Sequence, residues 1–331
     1  MMQLGIVGLG AGAAAALLFA STAGGSWLSI ILFYLAPLPI MIAGLGWSHW
    51  ASLIAAVSGA LAIGAFFGTT LFFTFLVGVG LPAWWLSYLA LLARPMTAGP
   101  GNMPAPANDA LEWYPVGRLV AWATIMAGVF VVAVLLFSYG FDADSYRDAM
   151  TKTMTAALSR VFAENPELSG ATSERLVAFF VASMPPTAAV ATAIISVVNL
   201  WLAARIVSFS SRLKRPWPDL SAITFPKTLI AALAGALALN VAGGMLGIVA
   251  LVFSATLMLA FALVGLAVLH TATRGVTGRA FMLSTVYISA PLLSGWPILA
   301  FALIGIGETF FDLRARLARK RGALGGPPAL T

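Results

Sequence analysis

Long apolar runs separated by short polar segments dominate this chain from its first residues. A helix needs roughly 20 apolar residues to cross a hydrocarbon core of about 30 Å, and runs of about that length recur along the sequence. The pattern predicts about ten (8–10) transmembrane helices, near residues 3–21, 27–46, 50–67, 70–93, 116–140, 185–207, 227–243, 245–269, 280–294 and 297–313. The predicted fold class is therefore an all-α, polytopic membrane protein.

Residues 141–184 form a sizeable polar insert between two of the predicted spans. Apolar residues recur about every four positions in its first part, which is typical of one face of a helix: Tyr146, Met150, Met154, Leu158 and Phe162. A second amphipathic segment starts near Thr172 and runs into Pro185. The sequence predicts a helical hairpin lying against the outer membrane face, either as a plain connector or as a lid over a cavity.

Proline and glycine are dense in residues 94–115, which predicts a cytoplasmic linker without regular structure. This linker divides an N-terminal four-span bundle, residues 1–93, from a C-terminal six-span bundle, residues 116–316, which includes the outer insert. Residues 317–331 are predicted to be a basic cytoplasmic tail.

Charged residues make up only 9% of the 331 residues, and residues 1–93 contain no Asp, Glu, Lys or Arg. Soluble domains carry roughly a quarter of their residues as charged side chains. The composition therefore excludes a soluble fold. The net charge of +7 comes from short basic clusters between apolar runs, which indicates membrane orientation and not a nucleic-acid-binding face.

The positions of these charges predict that both chain ends are cytoplasmic. The segments that would then be inside, 94–118, 205–227, 270–279 and 314–331, hold 14 Lys and Arg, against four in the outer segment 141–184. Such a bias sets orientation in the cytoplasmic membrane, so we expect a multi-pass protein of the bacterial inner membrane with the lipid bilayer as its partner. The basic cluster at residues 314–321 is expected to attract anionic headgroups.

Motifs for catalysis or cofactor binding are missing from the sequence. It has no cysteine, no phosphate-binding loop and no histidine or carboxylate cluster with metal-ligand spacing, so we expect no enzyme activity, cofactor or metal. Gly8, Gly10 and Ala13 have the spacing of a dinucleotide fingerprint, but no acidic residue follows within the next 90 positions. Helix packing through small residues four apart explains Gly8 with Gly12, and is also predicted for Gly243 with Gly247.

Polar residues inside the predicted spans are the candidate functional groups, because such residues are costly in a bilayer and mark sites by default. Asn199 lies six residues before Arg205 in one span, and Asn240 lies near the outer end of the next. Glu308 is the most deeply placed acid, and Asp312 follows one helical turn later. The alternative is an ion-paired anchor, with Asp312 bound to Arg316 and Glu308 bound to Arg205 or to a hydroxyl.

Four short motifs carry a resemblance to a known family: Met184-Pro185-Pro186, Asn199-Leu200-Trp201-Leu202-Ala203-Ala204-Arg205, Phe225-Pro226, and Gly305-Ile306-Gly307-Glu308-Thr309-Phe310-Phe311-Asp312-Leu313-Arg314. Over roughly residues 116–316 the chain resembles the YybS-like family of uncharacterised bacterial multi-pass membrane proteins. Glu308 stands where members of that family more often carry Asp. The family is similar to the substrate-capturing subunits of energy-coupling-factor transporters and to the rod-shape protein MreD.

The resemblance implies a transporter-like protein that binds or moves a small organic solute, with energising subunits as partners. Within that interpretation Asn199 and Asn240 are hydrogen-bonding candidates in a cavity of the C-terminal bundle, and Glu308 is a charge or proton-coupling candidate. The alternative is a non-transporting scaffold or assembly factor for cell-envelope synthesis.

Overall fold

Helices account for nearly all regular structure in the described part of this chain. The computed structural model describes residues 2–95, 111–165, 167, 170–292 and 296–324. Backbone contacts divide the chain into two units, Met1–Trp217 and Pro218–Thr331. Each unit is described by itself.

The first unit contains nine α-helices and one pair of short strands in the described ranges. The helices are α1 Met2–Ala20, α2 Trp27–Tyr34, α3 Pro37–Gly46, α4 His49–Phe67, α5 Thr69–Phe75, α6 Leu81–Ala90, α7 Val116–Tyr139, α8 Ala143–Glu164 and α9 Ala171–Phe209. A π-helical turn, Leu76–Gly80, joins α5 to α6. The second unit contains α10 Thr228–Leu239, α11 Gly244–Ala272, α12 Arg279–Leu292, α13 Trp296–Phe311 and α14 Leu313–Leu324.

The helices confirm the predicted all-α, polytopic fold class. Seven helical segments are long and apolar enough to cross a membrane: Met2–Gly24, Trp27–Gly46, His49–Phe67, Thr69–Ala90, Val116–Tyr139, Ala171–Phe209 and Gly244–Ala272. Thr228–Ala242 and Trp296–Phe311 are shorter apolar helices. Each of the ten predicted spans overlaps a described helix, and the 14-residue α12 corresponds to the shortest of them.

Small residues permit the closest helix contacts in both units. A Cβ on Gly8 would come within 2.8 Å of Ile54, and one on Gly12 within 2.7 Å of the Ala55 carbonyl oxygen. The packing interpretation of Gly8 and Gly12 is therefore confirmed, because α1 approaches α4 at these positions.

The corresponding prediction for Gly243 and Gly247 is wrong. Gly243 forms a turn with a φ of +67° and has open space around it, because it ends one helix and starts the next. The close helix crossing in this unit instead joins α11 to α13. A Cβ on Gly265 would collide with the carbonyl group of Phe301, and a Cβ on Gly305 would collide with that of Phe261.

The ends of the predicted linker are ordered, contrary to the prediction that residues 94–115 lack regular structure. Strands β1, Ala93–Pro95, and β2, Leu111–Trp113, pair in antiparallel fashion with Arg94 opposite Glu112. The Arg94 guanidinium donates to the Glu112 carboxylate at 2.7 Å, and this hydrogen bond lowers the pKa of Glu112. Opposite charges across a strand pair stabilise such pairing. Residues 96–110 of the linker lie outside the described ranges.

The outer insert forms a hairpin whose second arm differs from the prediction. Helix α8 is the expected first arm and packs against the start of α9. Helix α9, however, runs for 39 residues and passes through Pro185 and Pro186 without ending. The second amphipathic segment and the predicted span from residue 185 therefore form one continuous helix. The hydroxyl of Tyr146 takes the place of a hydrogen bond that Pro185 removes.

The long helices after the linker pack onto the helices before it. Helix α7 contacts α9 and α6, and α9 also contacts α3. All of these helices belong to the unit that ends at Trp217. The boundary between the two units thus lies well after residues 94–115, the linker that the sequence predicts as the division between two bundles.

Candidate functional site

An open cleft of about 330 Å³ lies in the second unit, at the junction of α13 and α14. Five charged side chains line it: Asp219, Arg274, Glu308, Asp312 and Arg314. The remaining lining residues are small or carry hydroxyls: Ser221, Ala222, Thr224, Thr271 and Ala315. Such a concentration of polar groups is unusual beside helices as apolar as α11 and α13.

A buried ion pair closes one side of the cleft. The Nε of Arg314 donates to Oε1 of Glu308 at 2.7 Å, and the backbone amide of Arg314 donates to Oε2 at 3.0 Å. The two side chains are only 12% and 7% exposed. A buried carboxylate requires this kind of partner, because desolvation of an unpaired charge costs several kcal/mol.

Arg314 also binds the segment that precedes α10. Its Nη1 donates to the Ser221 carbonyl oxygen, and its Nη2 donates to the Ile223 carbonyl oxygen at 2.9 Å. All three guanidinium nitrogens therefore have acceptors. Arg314 connects the α13–α14 junction to the wall of the cleft.

Asp219 and Arg274 form a second, more exposed pair. Asp219 caps the short helical turn Leu220–Ala222 and accepts from the Ser221 amide at 2.9 Å and hydroxyl at 2.6 Å. The hydrogen bond from the Ser221 hydroxyl holds the pKa of Asp219 below its ordinary value. Arg274, just after α11, donates to Asp219 at 3.3 Å and to the Ser221 hydroxyl.

Asp312 separates α13 from α14 and is one of the residues that line the cleft. Its φ is +48°, a left-handed conformation that aspartate tolerates better than most residues. The side chain is exposed. Within the ranges that the structure describes, its carboxylate makes no hydrogen bond or ion pair.

Of the five candidate residues from the sequence, Glu308 and Asp312 come together in this cleft. Asn240 belongs to the same unit but lies at the other end of α10 from Thr224. The 12 residues of α10 span about 18 Å at 1.5 Å per residue. Asn240 donates to the Ser254 hydroxyl at 3.0 Å and thus connects α10 to α11.

Asn199 and Arg205 belong to the first unit and point to different partners. The Asn199 amide nitrogen donates to the carbonyl oxygens of Tyr34 and Ile195, each at 2.8 Å, and the side chain is 2% exposed. The guanidinium of Arg205 lies 4.9 Å from the centre of the Trp217 ring. Residues six positions apart face different sides of a helix, which explains why these two do not meet.

The sequence did not identify most of the partners in the cleft. Glu308 binds Arg314, whereas the anchor hypothesis predicted Arg205 or a hydroxyl as its partner. That hypothesis also predicted a pair of Asp312 with Arg316, but the Arg316 guanidinium lies 5.7 Å from the centre of the Phe311 ring. The sequence predicted no function for Asp219, Ser221 or Arg274. One signal was available: Asp219 stands two residues before Ser221 in a basic loop, and an Asp at that spacing from a Ser is typical of a local cap.

The arrangement suits noncovalent recognition of a polar molecule. The described parts of the chain contain no group of three or more histidine or acidic side chains that could hold a metal ion. Hydroxyls, carboxylates and guanidinium groups instead provide hydrogen-bond donors and acceptors around one opening.

Comparison with known protein families gives a match for this chain. The model of a family described as "Predicted membrane protein (DUF2232)" matches residues 107–307 of this chain, which is more than half of it. The match includes Asp219 and Arg274 and ends directly before Glu308. Neither the curated proteins nor the solved structures contain a match.

Proposed function

The chain belongs to this family of predicted membrane proteins, and from the cleft we propose that it is a transporter-like protein that binds a small polar organic solute. The solute would be moved across a bacterial inner membrane. The lipid bilayer is the environment of its apolar helices.

The observation that carries this proposal is the grouping of five charged side chains at one cleft of a helical membrane unit. In the predicted topology Asp219, Arg274 and Arg314 lie in cytoplasmic segments, so the cleft would open at the cytoplasmic membrane surface. Glu308 and Asp312 belong to the last predicted span, and charged groups within spans face binding sites or water-filled cavities. A stability role alone explains the Glu308–Arg314 pair, which is buried and in which each guanidinium nitrogen has an acceptor. It does not explain the exposed Asp219–Arg274 pair or the unpaired Asp312 around an opening of about 330 Å³.

The sequence lacks a phosphate-binding loop. The energy for moving a solute against its concentration gradient therefore has to come from another source. An ion gradient or an ATP-hydrolysing partner would supply it. The resemblance to capture subunits of energy-coupling-factor transporters supports the second source, with the chain acting as the part that recognises the solute.

The test is native mass spectrometry of the full chain, purified from its native host in mild detergent. Asp312→Asn alters the cleft, while Arg160→Gln removes an exposed charge on α8 and serves as the control. We expect a small molecule on the wild-type protein and on Arg160→Gln, and its loss from Asp312→Asn at unchanged expression and melting temperature.

Two results would overturn the proposal. One is a protein without any solute that is purified together with enzymes of cell-envelope synthesis, which would favour the scaffold function. The other is a solute that all three proteins retain equally, because the cleft would then not be its binding site.

A further inference from the structure

We infer that the solute carries a positively charged amine, which binds the carboxylate of Asp312 in the cleft. This inference rests on the proposed function and specifies the chemical class of its substrate. The structural basis is the combination of an open polar cleft, two internal ion pairs and one carboxylate that neither pair uses.

The charges around the cleft do not balance. Arg314 is paired with Glu308 and also donates to two backbone carbonyl groups. Arg274 is paired with Asp219. After these pairs are formed, the charged residues that line the cleft carry one net negative charge, on Asp312. The Asp312 carboxylate is therefore the group of this lining that can pair with a cationic ligand.

Backbone geometry fixes Asp312 at this place. Its amide donates to the Glu308 carbonyl oxygen at 3.0 Å, and its own carbonyl oxygen accepts from the Arg316 amide at 3.1 Å. These bonds hold the left-handed residue on both sides, so the carboxylate is carried by a rigid junction of two helices. A group that is held in place before binding loses less entropy when the ligand arrives.

The remaining lining groups favour an organic amine over a metal ion. Ca²⁺ takes six to eight oxygen ligands and Mg²⁺ usually binds through one or two carboxylates with several waters, whereas Glu308 and Asp219 are already paired. An ammonium group needs one carboxylate and a few neutral acceptors. Thr224 and Thr271, whose hydroxyl oxygens can accept hydrogen bonds, are among the residues that line the same cleft.

The volume limits the size of the solute. About 330 Å³ is at the lower end of the range for small-molecule sites, roughly 300–1,000 Å³. The apolar part of the solute would lie against Ala222 and Ala315, which also line the opening. A short aliphatic amine fits both the charge and the volume.

The experiment is isothermal titration calorimetry on the full chain in phosphatidylcholine nanodiscs, with butylamine, butyrate and butanol as probes of equal length. We expect saturable binding of butylamine only, and at least tenfold weaker binding to Asp312→Asn. Asparagine also tolerates a positive φ, so this variant keeps the backbone. Asp148→Asn, which removes an exposed carboxylate on α8, should bind butylamine as the wild type does.

Several outcomes would overturn the inference. They are binding of butyrate in place of butylamine, equal butylamine affinity in the wild type and Asp312→Asn, or no binding of any probe to the wild type. If Asp312→Asn has a lowered melting temperature, Arg274→Gln provides a second measurement. It adds one unpaired acid to the cleft and should bind butylamine more tightly, and weaker binding would contradict the inference.

The mass-spectrometry experiment distinguishes a failure of this inference from a failure of the proposed function. A natural solute without an amine, retained by the wild type and lost from Asp312→Asn, would overturn the inference and leave the proposed function standing. An empty protein with envelope-synthesis partners would overturn both.

Discussion

The hydroxyl group of Tyr146 donates a hydrogen bond of 2.9 Å to the carbonyl oxygen of Val181. In an unbroken helix that oxygen would accept from the amide of residue 185, but Pro185 has no amide hydrogen. Tyr146 is 3% exposed, and burial raises the pKa of its hydroxyl to about 12. The hydroxyl therefore remains a donor throughout the physiological range. One residue of α8 thus replaces the bond that proline removes from α9.

We expect Tyr146→Phe to lower the free energy of unfolding by about 1–3 kcal/mol, because it leaves a buried carbonyl without a donor. Pro185→Ala restores an amide at the right position, so Tyr146→Phe should cost much less in that background. Hydrogen exchange over residues 171–185 and thermal unfolding measure the effect. Tyr139→Phe removes a neighbouring hydroxyl and is the control; an equal loss there would contradict the interpretation.

Asn199 has the same role at a second helix interruption. The Leu38 amide bonds to Leu35 at the start of α3, so the Tyr34 carbonyl oxygen lacks its helical donor, and Asn199 supplies one. We expect Asn199→Ala to destabilise the protein by about 1–3 kcal/mol. Asn240→Ala should cost less, since its partner Ser254 has a rotatable hydroxyl. Melting temperatures of the two variants in the same detergent provide the comparison, and the reverse order would refute it.

Breaking the buried ion pair should be more damaging than removing it. Glu308→Gln or Arg314→Gln alone leaves one buried charge without its partner, which costs about 3–5 kcal/mol in other proteins. The double variant leaves no unpaired charge and should be less destabilised than the two single changes added together. A double-mutant cycle from unfolding measurements gives the coupling energy, and additive single effects would show that the pair is not coupled.

The pH response of the cleft follows from Asp219. Its pKa lies below the ordinary 3.8, mainly because it accepts from the Ser221 hydroxyl. Since folding lowers this pKa, the stabilising contribution is complete above pH 3.8 and disappears as the pH falls through the lowered value. Ser221→Ala should raise the pKa of Asp219 toward 3.8 in a carboxyl ¹³C titration. Asp142, whose pKa is lowered by its own Ser145, is the internal control and should not change.

The orientation of the chain can be tested directly because the sequence has no cysteine. Asp148→Cys places a thiol on exposed α8, and Arg319→Cys places one on exposed α14. With both chain ends cytoplasmic, an impermeant maleimide should label Asp148→Cys in intact spheroplasts and Arg319→Cys only after permeabilisation. The opposite pattern would reverse the predicted orientation.

Hydropathy predicted the helices well because the bilayer imposes one requirement on every span. A spanning backbone has to satisfy its hydrogen bonds internally, so a run of apolar residues is nearly sufficient to indicate a helix. The exceptions are positions where a distant residue intervenes. Pro185 looked like a helix start because the sequence does not show that Tyr146, 39 positions earlier, lies beside Val181.

The cleft was only partly predictable for a similar reason. Glu308 was identified because a carboxylate in an apolar run is costly, and Asp312 because it follows one turn later. Their relation to Arg314 depends on the left-handed φ of Asp312, which interrupts the helix and changes which side chains are neighbours. The contact of Arg274 with Asp219 joins residues 55 positions apart, and that of Arg314 with Ser221 joins residues 93 positions apart. One sequence contains no record of such pairings.

Helix α9 extends for 39 residues, about 58 Å at 1.5 Å per residue, which is nearly twice the thickness of a hydrocarbon core. Its first part forms an arm of the outer hairpin, and its last part contacts α3 and carries the bond from Asn199 to Tyr34. The bond from Tyr146 to Val181 is at the proline, and the bond from Asn199 to Tyr34 is near the other end. One continuous helix thus connects the polar hairpin to the break between α2 and α3.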